Sequence, residues 1–79
     1  MITPEQCRAA RGLLKWTQPQ LARLARVSKD TVRHFESGRQ EANPSTLIVI
    51  KLAFETHGVE FTNGDAPGVR LPKSKHSSS

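Results

Sequence analysis

The chain has 79 residues, 35% of them apolar and 24% charged, with twelve Lys and Arg against seven Asp and Glu and a net charge of +5. That length supports one small domain at most, with a core too limited to enclose a deep substrate cleft, and the composition falls short of the polarity of a disordered chain. Eight of the bases (Arg8, Arg11, Lys15, Arg23, Arg26, Lys29, Arg33 and Arg39) crowd a segment whose only acids are Asp30 and Glu36; such a concentration suits a polyanionic partner, whether nucleic acid or an anionic membrane surface, or a solvated face.

Start signals mark the helices in turn. Thr3-Pro4-Glu5-Gln6 supplies an N-cap, a proline at the first helical position and a glutamine that closes a capping box, with Ile2 and Cys7 at the staple positions. A first helix is expected from Pro4 to Leu14, with Cys7, Ala10 and Leu14 on its apolar side and Arg11 beside them. Thr17-Gln18-Pro19-Gln20 repeats the box, and Trp16 and Leu21 occupy its staple positions, so the tryptophan closes the start of a second helix. That helix should run from Gln18 to about Ala25, with Leu21, Leu24 and Ala25 inward. Ser28 caps a third helix over Lys29 to Ser37, with Val27 and Val32 as its staple pair and Gly38 as its stop. Val32 and Phe35 point inward there, leaving Lys29, Asp30, Arg33 and His34 on the other faces.

Asn43-Pro44 opens a fourth helix that Gly58 ends. Its stretch from Leu47 to Phe54 is apolar on more than one stripe, whereas a single amphipathic face needs only about three apolar positions per heptad. The surplus calls for cover from the tail or from a second subunit. Beyond Gly58 the period changes to two. Val59-Glu60-Phe61-Thr62 and Val69-Arg70-Leu71 alternate around the turn formers Asn63 to Gly68, which predicts a short β-hairpin. A lone hairpin is marginal in water, so this one must pack on the fourth helix or on a partner. Lys73 to Ser79 reads as a disordered basic tail. The expected organisation is a helical unit over 1–58, a hairpin over 59–72 that can serve as a dimer contact, and the tail over 73–79.

Other chemistry finds little support. Cys7 is the sole cysteine, which excludes an internal disulfide and suits a reducing, cytoplasmic setting. The longest apolar run, Leu47 to Ile50, is four residues, against about 18 for a membrane span. No basic region followed by an apolar stretch marks a signal peptide. His34, His57, His76 and Cys7 lack metal-ligand spacing. No Ser-His-Asp or paired-carboxylate arrangement is indicated, and the glycines read as turns and stops rather than as a phosphate loop. No metal, cofactor, catalytic residue or membrane attachment is expected, and the chain does not read as an enzyme.

The second and third helices are joined by Arg26-Val27-Ser28 alone. A short helix, a tight turn and a second helix at a large angle form a helix-turn-helix unit. The pattern Gln18-x-x-Leu21-Ala22-x-x-Ala25-x-Val27-Ser28-x-x-x-Val32-x-x-x-Glu36-x-Gly38 resembles the Cro and phage-repressor (XRE-type) helix-turn-helix family, over about Gln6 to Gly58. The hairpin segment, looser in its match, is similar to that of short bacterial regulators in the family. Each element has a physical reason. Ala22 must be small where the second helix crosses the third, and Val27 plugs the turn. Ser28 accepts an amide hydrogen bond and leaves the remaining amides for a phosphate. Arg26 stands where the family often has glycine; a positive φ there would cost about 1 kcal/mol.

The resemblance implies a mainly α fold, a small four-helix, lambda-repressor-like domain with a short C-terminal β-hairpin. It also implies a sequence-specific transcriptional regulator, a repressor, that binds double-stranded DNA as a homodimer in the bacterial cytoplasm and associates with the nucleoid. The alternative is the antitoxin of a toxin–antitoxin pair, which would hold a toxin protein as well as DNA. Lys29, Asp30 and His34 fall at the base-reading positions, with Thr31 and Arg33 as neighbours of either kind. Thr17, Gln18, Arg26, Ser28 and Arg39 fall where phosphate contacts stand. Asp30 has a second use, since a carboxylate in the first turn complements the helix dipole. Arg11 and Glu36 resemble a structural salt-bridged pair between the first helix and the third.

Overall fold

The computed structural model describes residues 2–38, 42–62 and 67–72. In chain order it contains α1 (Pro4–Leu14), α2 (Gln18–Ala25), α3 (Lys29–Ser37), α4 (Pro44–Thr56), β1 (Glu60–Thr62) and β2 (Gly68–Arg70). The fold is therefore four helices followed by a two-stranded antiparallel hairpin, with Glu60 opposite Arg70 and Phe61 opposite Val69. The expected turn residues Asn63 to Ala66 and the tail from Lys73 onward lie outside the described residues.

The caps form as their spacing requires. Thr3 Oγ1 accepts from the Gln6 amide at 3.1 Å, and Gln6 Oε1 accepts from the Thr3 amide at 2.9 Å. Thr17 and Gln20 exchange the same two bonds at 3.2 and 2.7 Å. Each reciprocal pair satisfies two backbone donors that would otherwise lack partners. Three helices end on left-handed residues: Lys15 (φ 58°), Arg26 (φ 61°) and Gly38 (φ 74°). Only glycine adopts that conformation without strain, so α1 and α2 both stop at a mild energetic cost.

Leu21, Val32, Ile50, Phe54 and Val59 lie at the centre of the core. Trp16 stacks on Phe54 with ring centroids 5.5 Å apart, and His57 meets its indole edge-on at 4.8 Å. The tryptophan thus ties the start of α2 to the end of α4. Phe61 reaches the far side of Phe54 at 5.9 Å, which anchors the hairpin to the same core.

Two expectations need correction. Leu24 is exposed. Leu21, Ala22 and Ala25 occupy the inward arc of α2, and their two alanines let its neighbours approach closely, so Leu24 falls at the arc's edge. The hairpin, expected on the fourth helix or on a partner, packs mainly on α1 through β2, and Phe61 of β1 meets Phe54 of α4 edge-on. Buried Gln6 explains the choice. Its carboxamide nitrogen donates to the carbonyls of Thr62 (3.1 Å) and Gly68 (3.0 Å), one from each strand. The hairpin consequently leaves Ile48 and Leu52 on the outer face of α4 exposed.

Candidate nucleic-acid interface

The turn between α2 and α3 sets the outward helix. Val27 is half-buried and plugs it, while the amide of Val27 donates to the Ala22 carbonyl at 2.9 Å. Ser28 Oγ accepts from the Thr31 amide at 3.1 Å and lies 2.7 Å from Thr31 Oγ1. The amides of Lys29 and Asp30 remain at the start of α3, where the helix favours an anion. Val32, Phe35 and Glu36 are buried on the opposite side, so Lys29, Asp30, Arg33 and His34 all project into solvent and Thr31 is half-buried.

Asp30 Oδ1 and Arg33 Nη2 form an ion pair at 3.1 Å, both side chains being more than half exposed. An exposed pair of this kind is worth under about 1 kcal/mol, so it orients Arg33 without holding it against a competing ligand. Gln18, Pro19, Lys29, Asp30 and Arg33 line a shallow cleft between the starts of α2 and α3. The cleft brings one expected phosphate residue together with three expected base-reading residues. Arg26 is exposed at the turn, and Thr17 is exposed with its hydroxyl accepting from Gln20. Arg39 lies outside the described residues.

Behind this surface sits a buried polar cluster. Arg11 donates through Nε to Glu36 Oε2 at 2.7 Å and through Nη2 to Oε1 at 2.8 Å. Its Nη1 donates to the Trp16 carbonyl at 3.0 Å. Gln18 Nε2 donates to Glu36 Oε1 at 3.0 Å, and the Cys7 thiol donates to Oε2 at 3.1 Å. Arg8 donates to the Glu36 carbonyl. The carboxylate thus joins α1, α2 and α3, and it fixes the Gln18 side chain at the edge of the outward surface.

Burial pushes the Glu36 carboxyl up, but hydrogen bonds from Arg11, Gln18 and Cys7 and the charge of Arg11 outweigh it, so the group titrates below the ordinary carboxylate range. Its hydrogen bonds raise the Arg11 guanidinium further. Burial, with Glu36 beside it, pushes the Cys7 thiol well up, so the sulfur stays a neutral donor.

The Arg11–Glu36 pair was implied by the family resemblance. The cluster's other members were not, although Cys7 and Arg11 stand four apart on α1 and so share a face. Gln18 is a different case. Its expected role is at a phosphate, and the structure commits one of its donors to Glu36. Gln18 is half-buried and still lines the cleft beside Lys29 and Asp30.

The chain matches the sequence model of a helix-turn-helix family over residues 8–61, well over half its length. No curated protein matches it. The chain belongs to this helix-turn-helix family, of the XRE and Cro type. The family is one of DNA-binding regulators and not of enzymes. Among the described residues, no helix is long and apolar enough to cross a membrane.

Proposed function

We propose that this family member is a sequence-specific repressor that inserts α3 into the major groove of double-stranded DNA. It acts as a homodimer on a near-palindromic site, in the bacterial cytoplasm on nucleoid DNA. The observation that carries this reading is the solvent face of α3, where Lys29, Asp30, Arg33 and His34 stand free of the core while the opposite face is locked by Val32, Phe35 and Glu36. A rigid helix with a solvent-exposed polar face at its N-terminal end is what base-edge reading requires.

Lys29 donates to guanine O6 and N7. Asp30 accepts from cytosine N4 or steers Arg33 towards a guanine, and His34 and Thr31 meet neighbouring positions. Thr17, Gln18, Arg26, Ser28 and Arg39 hold phosphates and fix the register. The helical unit over 1–58 carries this surface, and two copies place their reading helices about 34 Å apart on one face of the duplex. Occupation of such a site within a promoter blocks transcription.

The test is selection of bound duplexes from random DNA, followed by titration of the preferred site against salt. Enrichment of a near-palindrome is expected, with affinity falling steeply as salt rises, by about 0.9 log units per log unit of salt for each phosphate neutralised by a cation. No enriched sequence, or a flat salt response, would refute the reading. Stoichiometric recovery of a small toxic protein with the chain from its native host would move the assignment to an antitoxin.

A further inference from the structure

Leu24, Ile48 and Leu52 are 46%, 64% and 57% exposed, and among the described residues only Leu13 joins them as a large apolar side chain left in water. They do not lie apart. Ile48 and Leu52 stand one turn apart on α4, and Leu52 and Leu24 flank a groove of about 260 Å³ between α2 and α4. Val49, Ala53, Thr56, His57 and Arg26 complete its walls. A contiguous apolar strip with a polar rim on so small a chain marks a contact surface.

The charges on the strip select its occupant. Along α4 only Lys51 and Glu55 are charged, and their nearest approach to each other is a long 4.0 Å. The α4 stripe is therefore electrically balanced on a chain of net charge +5, whereas the groove beside it has Arg26 in its wall. An acidic partner would find no excess of bases along α4, and it would be drawn to Arg26 and to the bases of α2 and α3 instead. Two positively charged copies approach at least cost through their neutral faces. Ile48, Lys51, Leu52 and Glu55 also form one stripe at helical spacing. When two such helices cross antiparallel on a twofold axis near Leu52, each Lys51 comes within reach of the partner's Glu55, and the stripe is self-complementary as an isologous contact must be.

We propose that this protein self-associates through the outer stripe of α4, formed by Ile48, Lys51, Leu52 and Glu55, with a second copy of the chain as occupant. The proposal names the surface of the dimer in the DNA-binding reading and rests on that reading for its biological use. None of the α4 stripe belongs to α3 or to the turn that carries Arg26, so association through it leaves the proposed DNA contacts uncovered. The hairpin takes no part, because Val59 is buried and Phe61, Val69 and Leu71 pack on the core of their own chain.

Sedimentation equilibrium of the full chain without DNA tests it. The wild-type chain should be dimeric. Leu52→Glu should raise the dissociation constant about a hundredfold, since each interface loses the burial of two leucines, while circular dichroism and thermal unfolding of the monomer stay unchanged. Lys51→Glu and Glu55→Lys should each weaken self-association, and an equimolar mixture of these two variants should recover it as a heterodimer. That exchange is expected only if this stripe meets its own copy. A wild-type chain that stays monomeric at all concentrations overturns the proposal. So does a Leu52→Glu dimer of undiminished strength. A monomer that dimerises only after deletion of residues 73–79 overturns it in favour of the chain's own tail as occupant. Dissociation on Leu52→Glu in a protein that binds no selected duplex would sink the DNA reading and leave the dimer surface standing.

Discussion

The seam between α1 and α3 buries charge, while the outer face of α4 exposes hydrocarbon. Both reverse the ordinary partition, and they do so for opposite reasons. In the seam, Glu36 is 3% exposed, yet it collects donors from Arg11, Gln18 and Cys7. Its desolvation is offset only when all three approach at once, so α1, α2 and α3 have essentially one satisfactory arrangement. The exposed stripe of α4 imposes no such geometry, because a leucine accepts any apolar surface of suitable shape. Buried polarity thus fixes the position of α3, the proposed reading helix, and exposed hydrocarbon marks the surface proposed to meet a second copy.

The largest test of that contrast breaks the seam. Glu36→Ala leaves the half-buried Arg11 guanidinium with only the Trp16 carbonyl as acceptor and should cost up to about 3–5 kcal/mol. In the monomer, Leu52→Glu should change stability by less than about 0.5 kcal/mol. Denaturant unfolding of both variants at equal concentration checks the difference, and comparable losses would mean that α4 is as much a part of the frame as the seam. The double replacement Arg11→Met with Glu36→Leu should recover much of the stability, because no unpaired charge remains. The pH dependence follows from the sign of the shift. The Glu36 carboxyl titrates lower in the folded chain than the ordinary value of 4.5, so its contribution is complete above that value and is lost as pH falls through the folded pKa. The stability gap between the wild-type chain and Glu36→Gln should therefore narrow on acidification from about pH 6 to about pH 3.

A smaller effect sharpens the contrast at the reading surface. Because the seam holds α3 rigidly, a truncation on its outer face should act locally. Lys29→Ala should lose about 1–3 kcal/mol on the preferred duplex and little on random DNA, and should relax selectivity at one base pair per half-site. His34→Ala should act at a neighbouring pair and less strongly. Arg39→Ala should weaken all duplexes alike and lower the salt slope. Titration of each variant against the preferred site, its single-base changes and random duplex separates these outcomes. A uniform loss for Lys29→Ala would reduce that lysine to a phosphate contact.

The helices were legible because their limits are written in local chemistry. Thr3, Thr17 and Ser28 act as caps through side chains within three residues of the amides they satisfy, and a spacing of three is visible in any sequence. The outward set on α3 was legible for a similar reason, since placing Val32 and Phe35 inward leaves few alternatives for Lys29, Asp30, Arg33 and His34. What escaped depends on distant partners. Gln6 was legible as a cap, but nothing local shows that its other end holds Thr62 and Gly68 across more than fifty residues. The period of α2 allows Leu24 an inward place, and only the position of α4 decides how wide the inward arc is. The docking of the hairpin on α1 escaped for the same cause, because period-two alternation identifies a hairpin's apolar side and not the surface that receives it.

The smallest test compares two residues in one strained conformation. Lys15 and Arg26 end α1 and α2 with φ of 58° and 61°, where a side chain costs about 1 kcal/mol relative to glycine. Glycine also raises the entropy of the unfolded chain, which returns about 0.4–1 kcal/mol. Lys15→Gly and Arg26→Gly should therefore each change stability by only a few tenths of a kcal/mol, and by similar amounts, in thermal unfolding without DNA. On DNA the two should part. Lys15 ends α1, outside the pair of helices proposed to meet the duplex, so its replacement should leave affinity nearly unchanged. Arg26 stands in the turn itself and is exposed. Its replacement should weaken preferred and random duplexes by the same factor and reduce the salt slope by about 0.9 for each phosphate that the guanidinium had neutralised. If both glycine variants bind alike, Arg26 holds no phosphate, and only the mild cost of its conformation distinguishes it from the glycine common in the family.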